Sequence, residues 1–169
     1  MTSAAATFDD SVGRAFTENA RQLIAGEYLP KIETCLERLT DEQIWWRPNS
    51  ESNSIGNLVL HLCGNARQWI VCGLGGEPDE RRRQAEFDAR DAMPRAELLD
   101  KLRITVAAVD GVLGSFDPGH LLNDYLIQGT TTSALAAVLH VTEHFSMHTG
   151  QIILVTKQLT AQDLRFYDL

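Results

Sequence analysis

No stretch of this sequence offers the roughly 20 consecutive apolar residues that a membrane-spanning helix takes. Its 44% apolar and 22% charged composition is ordinary for a soluble globular chain. The opening MTSAAATFDDS lacks both the basic start and the apolar centre of a secretion signal. A cytoplasmic protein with no membrane partner is therefore expected. Cysteine is also scarce. Cys35, Cys63 and Cys72 make an odd number with no CxxC spacing, so neither a disulfide framework nor a thiolate zinc site is indicated. Small apolar side chains in a helical core are expected instead. Positive charge is short as well: 15 Lys and Arg against 23 Asp and Glu give a net charge of −8. That balance argues against a nucleic-acid partner, which needs a basic face. The one basic cluster, Arg81 to Arg83, lies among Asp79, Glu80, Glu86 and Asp88 and reads as a solvated loop. Strand signals are few, because short β-branched runs such as ILVT lie inside longer helical patterns.

What is present is helical periodicity. The 169 residues suit one domain spanning 1–169. A first helix is predicted from about Asp9 to Leu39, bent at Pro30, with Phe16, Ala20, Ile24, Ile32, Leu36 and Leu39 at helical spacing. Thr40 caps a short turn through a partner at Glu42 or Gln43, and Asn53 or Ser54 caps a second helix that ends at Gly73 to Gly76. A charged connector follows, LGGEPDERRRQAEFDARDAM, long enough to run the height of a bundle and let helices two and three lie parallel. Pro94 fits the first turn of helix three, and DPGHLLNDYLIQG reads as another connector. Thr131 or Thr132 caps helix four, which runs to about Leu159, and the tail AQDLRFYDL is apolar enough to pack back. Four helices with one long crossover between helices 2 and 3 predict an all-α four-helix bundle.

Within helix four, HVTEHFSMHTGQ carries His140, His144 and His148. Residues four apart on a helix are offset by about 40°, so His144 and His148 share a face and can turn two rings toward one ion. The interior of the pair is Phe145, Ser146 and Met147, so this is not the HExxH motif with its glutamate base. His61, mid-helix among leucines in NLVLHLCGN, is the candidate third ligand, because an unpaired imidazole there is costly to bury. A core histidine bonded to a neighbour is the competing reading of each ring. His140 stands about 80° round the helix from His148 and fits a supporting or packing role. His120, after Pro118 and Gly119, fits an exposed connector. Asn65, one turn after His61, and Gln151, three residues after His148, are the polar candidates either to orient the rings or to serve as packing and capping amides.

SIGNLVLHLCGNARQWI and HVTEHFSMHTGQIILVTKQL resemble the two signature helices of the DinB-like (DinB/YfiT-like) superfamily of metalloenzymes, and DEQIWWRPNSESNSIGN and DLRFYDL resemble an uncharacterised branch of it. The resemblance implies an up-down-down-up bundle and a metal triad of His61, His144 and His148. It also implies thiol-dependent chemistry, since relatives include a mycothiol-dependent maleylpyruvate isomerase and S-transferases using bacillithiol. Three neutral histidines leave open positions on an ion, as in catalytic sites, and zinc, nickel, iron and cobalt all accept three nitrogens. The favoured expectation is a metal-dependent enzyme of transferase or isomerase type, acting on small-molecule electrophiles with a low-molecular-weight thiol. A metal-dependent hydrolase is the alternative, although Glu143 points about 100° away from His144. A non-catalytic metal-binding module of a stress response is the other, favoured if Trp45, Trp46, Trp69 and Phe145 seal the triad. A homodimer is expected.

Overall fold

The computed structural model describes residues 2–91 and 93–166, the first eight by backbone alone. The N-terminal helical segment begins at Thr2, ahead of the expected Asp9. It runs as α1 (Thr2–Arg21), a π-helical stretch Gln22–Tyr28 and α2 (Leu29–Glu37). The π-helical stretch lies immediately before Pro30. Proline has no N–H for the Gly26 carbonyl and its ring crowds that carbonyl in a regular α-turn. The chain widens instead, and the Leu29 N–H bonds five residues back to Ile24 O.

Thr40 caps α3 (Asp41–Trp45), with its hydroxyl accepting from the Gln43 N–H and the Gln43 side chain accepting from the Thr40 N–H. Ser54 and Asn57 form the same reciprocal cap at the start of α4 (Ile55–Ala66). α4 continues as a π-helical turn, Arg67–Cys72, and stops in the glycines, where Gly76 takes φ of 79°. The charged connector is not bare loop: it holds α5 (Arg83–Asp88). Pro94 occupies the cap position just before α6 (Arg95–Ser115), one residue outside the helix. His120 closes a 3₁₀ turn, Pro118–His120, and is exposed.

The next segment corrects the reading of DPGHLLNDYLIQG as a bare connector and of Thr131 or Thr132 as a cap. β1 (Asp124–Ile127) and β2 (Thr130–Ser133) form an antiparallel hairpin, with Asp124 opposite Ser133 and Ile127 opposite Thr130. Gln128 and Gly129 turn it with φ of 54° and 74°, the positive values that a tight hairpin needs at both central positions. Thr131 and Thr132 are therefore strand residues, and Ser133 caps α7 (Ala134–Thr160) instead. Four-residue strands are too short for their alternation to stand out beside a 27-residue helix. The chain is mostly helical with this one small sheet among the described residues.

α4 lies at the centre, with all but one of its residues buried, and packs against α3, α5, α6 and α7. Ile32 and Leu36 of α2, Val59 and Leu62 of α4, Leu102 and Val106 of α6, and Val141 and Phe145 of α7 belong to one apolar cluster. Trp45 lies flat on Gly56, where an added Cβ would stand 2.7 Å from its ring, and its Nε1 donates to Met93 O at 3.1 Å. Cys35 and Cys63 are buried in this core and Cys72 is half-buried. Leu164 of the tail is buried against the cluster, and Tyr167–Leu169 lie outside the described residues. No described helix is long and apolar enough to cross a membrane.

Candidate metal centre

The central position of α4 and the length of α7 bring His61, His144 and His148 together. One ring nitrogen from each lies within 4.8 Å of the others. Ring centroids are 4.8 Å apart for His61 and His144, 5.4 Å for His61 and His148, and 4.5 Å for His144 and His148. An ion held by three ring nitrogens would take bonds of about 2.0–2.1 Å to each. The Nε2 atoms of His144 and His148 are buried without a hydrogen-bond partner. A native interior seldom leaves two such atoms unmatched, and a metal ion would satisfy both.

The opposite edges of two rings are anchored. His61 Nδ1 lies 2.8 Å from Glu86 Oε2. A carboxylate only accepts, so Nδ1 carries a proton, and in the neutral ring the lone pair is then on Nε2. Arg81 Nη2 also stands 3.2 Å from this Nδ1, as the third side of a triangle in which both nitrogens donate to Oε2. His148 Nδ1 lies 2.6 Å from Gln151 Oε1, and an amide oxygen likewise accepts. Its Nε2 is thereby also left with a free lone pair. Gln151 thus takes the orienting role offered to it by sequence. Asn65 makes no hydrogen bond to the three rings among the described residues. Its Nδ2 lies 3.1 Å from His140 Nε2, so it holds His140. His140 is half-buried between Trp69 and His144, with centroids at 4.1 Å and 5.4 Å. It flanks the triad without joining it. Glu143 is exposed.

Burial dominates the protonation of these rings. It pushes His144 down to about 3, helped by the nearby His148 and His61. Burial also lowers His148 and His140. Glu86 moves the other way from simple burial: desolvation pushes its pKa up, but hydrogen bonds from Arg81 and His61 outweigh that and hold it below the ordinary carboxyl value. His144 and His148 are thus available as neutral ligands, beside an ionised carboxylate.

Glu86 and Arg81 were missed as site residues, and Arg81 corrects the solvated-loop reading. Its side chain is 5% exposed and grips Glu86 through Nε and Nη2 at 2.8 and 2.9 Å. Arg82 and Arg83 do face solvent. The available signal was the connector itself, a long charged segment bearing acids and arginines next to the histidine-bearing helix. Trp46 is exposed and Trp69 half-buried, whereas Trp45 and Phe145 are core residues. A cavity of about 380 Å³ opens beside the ion pair, lined by Cys63, Gly64, Cys72, Arg81, Glu86 and Lys101 among others, and the triad histidines are not part of its wall.

Comparison with other proteins bears on the whole chain. The family described as "Protein of unknown function (DUF1572)" matches residues 11–168. No curated protein sequence matches. Among solved structures, a DinB-like protein from Bacillus cereus ATCC 10987 superposes with a TM-score of 0.62 at 17% identity, covering 78% of this chain and 85% of its own. A conserved protein from Enterococcus faecalis superposes with a TM-score of 0.71 at 15% identity, covering 86% and 98%. At such identities the likeness is one of fold, and the fold is DinB-like.

Proposed function

This chain belongs to the DUF1572 family, and from that footing we propose that it is a metal-dependent enzyme of small-molecule, thiol-dependent transferase or isomerase type. His61, His144 and His148 would hold one divalent transition-metal ion. The observation that carries this reading is the pair of buried, partnerless Nε2 atoms on His144 and His148, facing a third ring. The same reading takes the long helical segments as an up-down-down-up four-helix bundle, and the protein as a homodimer.

A bound divalent ion supplies a Lewis acid that lowers the pKa of a thiol or of water. The protein's residues do the rest. Glu86 and Gln151 hold the Nδ1 protons of His61 and His148, which fixes both rings edge-on to the centre. Trp69 and His140 lie ring against ring on the His144 side.

Thiol chemistry is preferred to hydrolysis because the carboxylate that touches the triad is already committed. Glu86 is bound by two nitrogens of Arg81 and by His61, and so is a poor general base for water. Metal-loaded protein is expected to accelerate conjugation of low-molecular-weight thiols to model electrophiles, with activity lost on chelation. Turnover of ester or amide panels without thiol conjugation would instead establish the hydrolase.

A further inference from the structure

We propose that Glu86, locked by Arg81, is the positioning residue for His61, and that it ties metal affinity to the seating of the connector on α4. The inference rests on the metal-site reading above. Glu86 lies far from the triad in sequence, on a six-residue helix in a segment that looked solvated. Yet its Oε2 takes the Nδ1–H of His61 at 2.8 Å, and both carboxylate oxygens are gripped by Arg81. Arg81 is in turn held by Gln68, whose Oε1 accepts from Nη1 at 2.8 Å.

Three features show that this contact is built into the fold. The first is Gly64 on α4, where an added Cβ would lie 1.9 Å from Glu86 Oε1 and 2.9 Å from Arg81 Nε. The helix omits a side chain where the ion pair docks. The second is Asn57, one turn before His61, whose Nδ2 donates to the Glu86 and Ala89 carbonyls at 2.7 and 3.0 Å. The third is burial of the pair, with Arg81 at 5% and Glu86 at 11% side-chain exposure. Burying two charges costs solvation that their attraction only partly returns, so stability alone is a weak reason for placing them there. Orienting a ligand ring and raising its basicity is a sufficient one.

Zinc affinity, read by competition with a chromophoric chelator, tests the proposal, alongside hydrogen exchange of residues 81–88 with and without zinc. Glu86→Ala is expected to weaken zinc binding by about 10- to 100-fold. Glu86→Gln is expected to recover part of the loss, because its amide oxygen still accepts from Nδ1. Zinc is expected to slow exchange in α5 of the parent and not in the alanine variant. Should Glu86→Ala fail to fold, Arg81→Gln serves, since it leaves the carboxylate in place but unlocked and is also expected to weaken binding. A folded alanine variant, or Arg81→Gln in its stead, with zinc affinity within twofold of the parent overturns the inference while leaving the metal site standing. A parent chain that binds no zinc or other divalent transition metal overturns both.

Discussion

Single residues decide what the triad can do, and the decisive property is which nitrogen carries the proton. His61 and His148 give their Nδ1 protons to fixed acceptors, while the Nε2 atoms of His144 and His148 have no protein partner. This arrangement has a pH consequence in the metal-free protein. Burial holds folded His144 neutral down to about pH 3, whereas an imidazole in the unfolded chain titrates near about 6.5. Between those values the unfolded chain binds the extra proton. Stability is therefore full above about pH 6.5 and is lost progressively as pH falls toward about 3. His148 and His140 are displaced in the same direction and add to the loss. The urea midpoint of chelator-treated protein should fall between pH 7 and pH 5, and His144→Ala should flatten that fall. An identical slope in the variant would mean that His144 is not held neutral by the fold.

Among the elements, the connector reaches the histidines directly, through Glu86 at 2.8 Å from His61. Asn57 holds it down: besides the carbonyls of Glu86 and Ala89, its Oδ1 accepts from Arg47 Nη2 at 2.6 Å and from the Ser54 N–H at 3.1 Å. Asn57→Ala deletes that buried hub and leaves several groups unmatched. A loss of about 2–3 kcal/mol in urea denaturation is expected, with faster exchange in α5. A loss below about 0.5 kcal/mol would show that the connector does not depend on Asn57. The contrast between α4 and α5 explains what the sequence made legible. The apolar face of α4 and its Ser54 cap are written within a few neighbouring residues, and so is the i, i+4 pair on α7. The docking of Glu86 beneath His61 is not local. It depends on Gly64 leaving room, on Asn57 meeting carbonyls about thirty residues away, and on Arg81 turning inward while Arg82 and Arg83 turn out. None of these has a periodic signature. The hairpin was hidden for a similar reason. Its threonines also fit a helix cap, and only the backbone of Gln128 and Gly129, with positive φ at both, decides for a turn.

For the whole molecule, the fold brings rings from two distant segments, α4 and α7, to one point beside the apolar core. The structural neighbours show a DinB-like fold, and the family match spans residues 11–168. They leave the chemistry to be argued from the site. The central claim is that the three histidines hold a metal ion, and the most direct measurement is elemental analysis of protein purified without a histidine tag, beside His144→Ala. About one divalent transition-metal ion per chain in the parent, and well below that in the variant, is the predicted result. A folded parent chain that carries no stoichiometric metal, and takes up none when offered zinc, nickel, iron or cobalt, would contradict it.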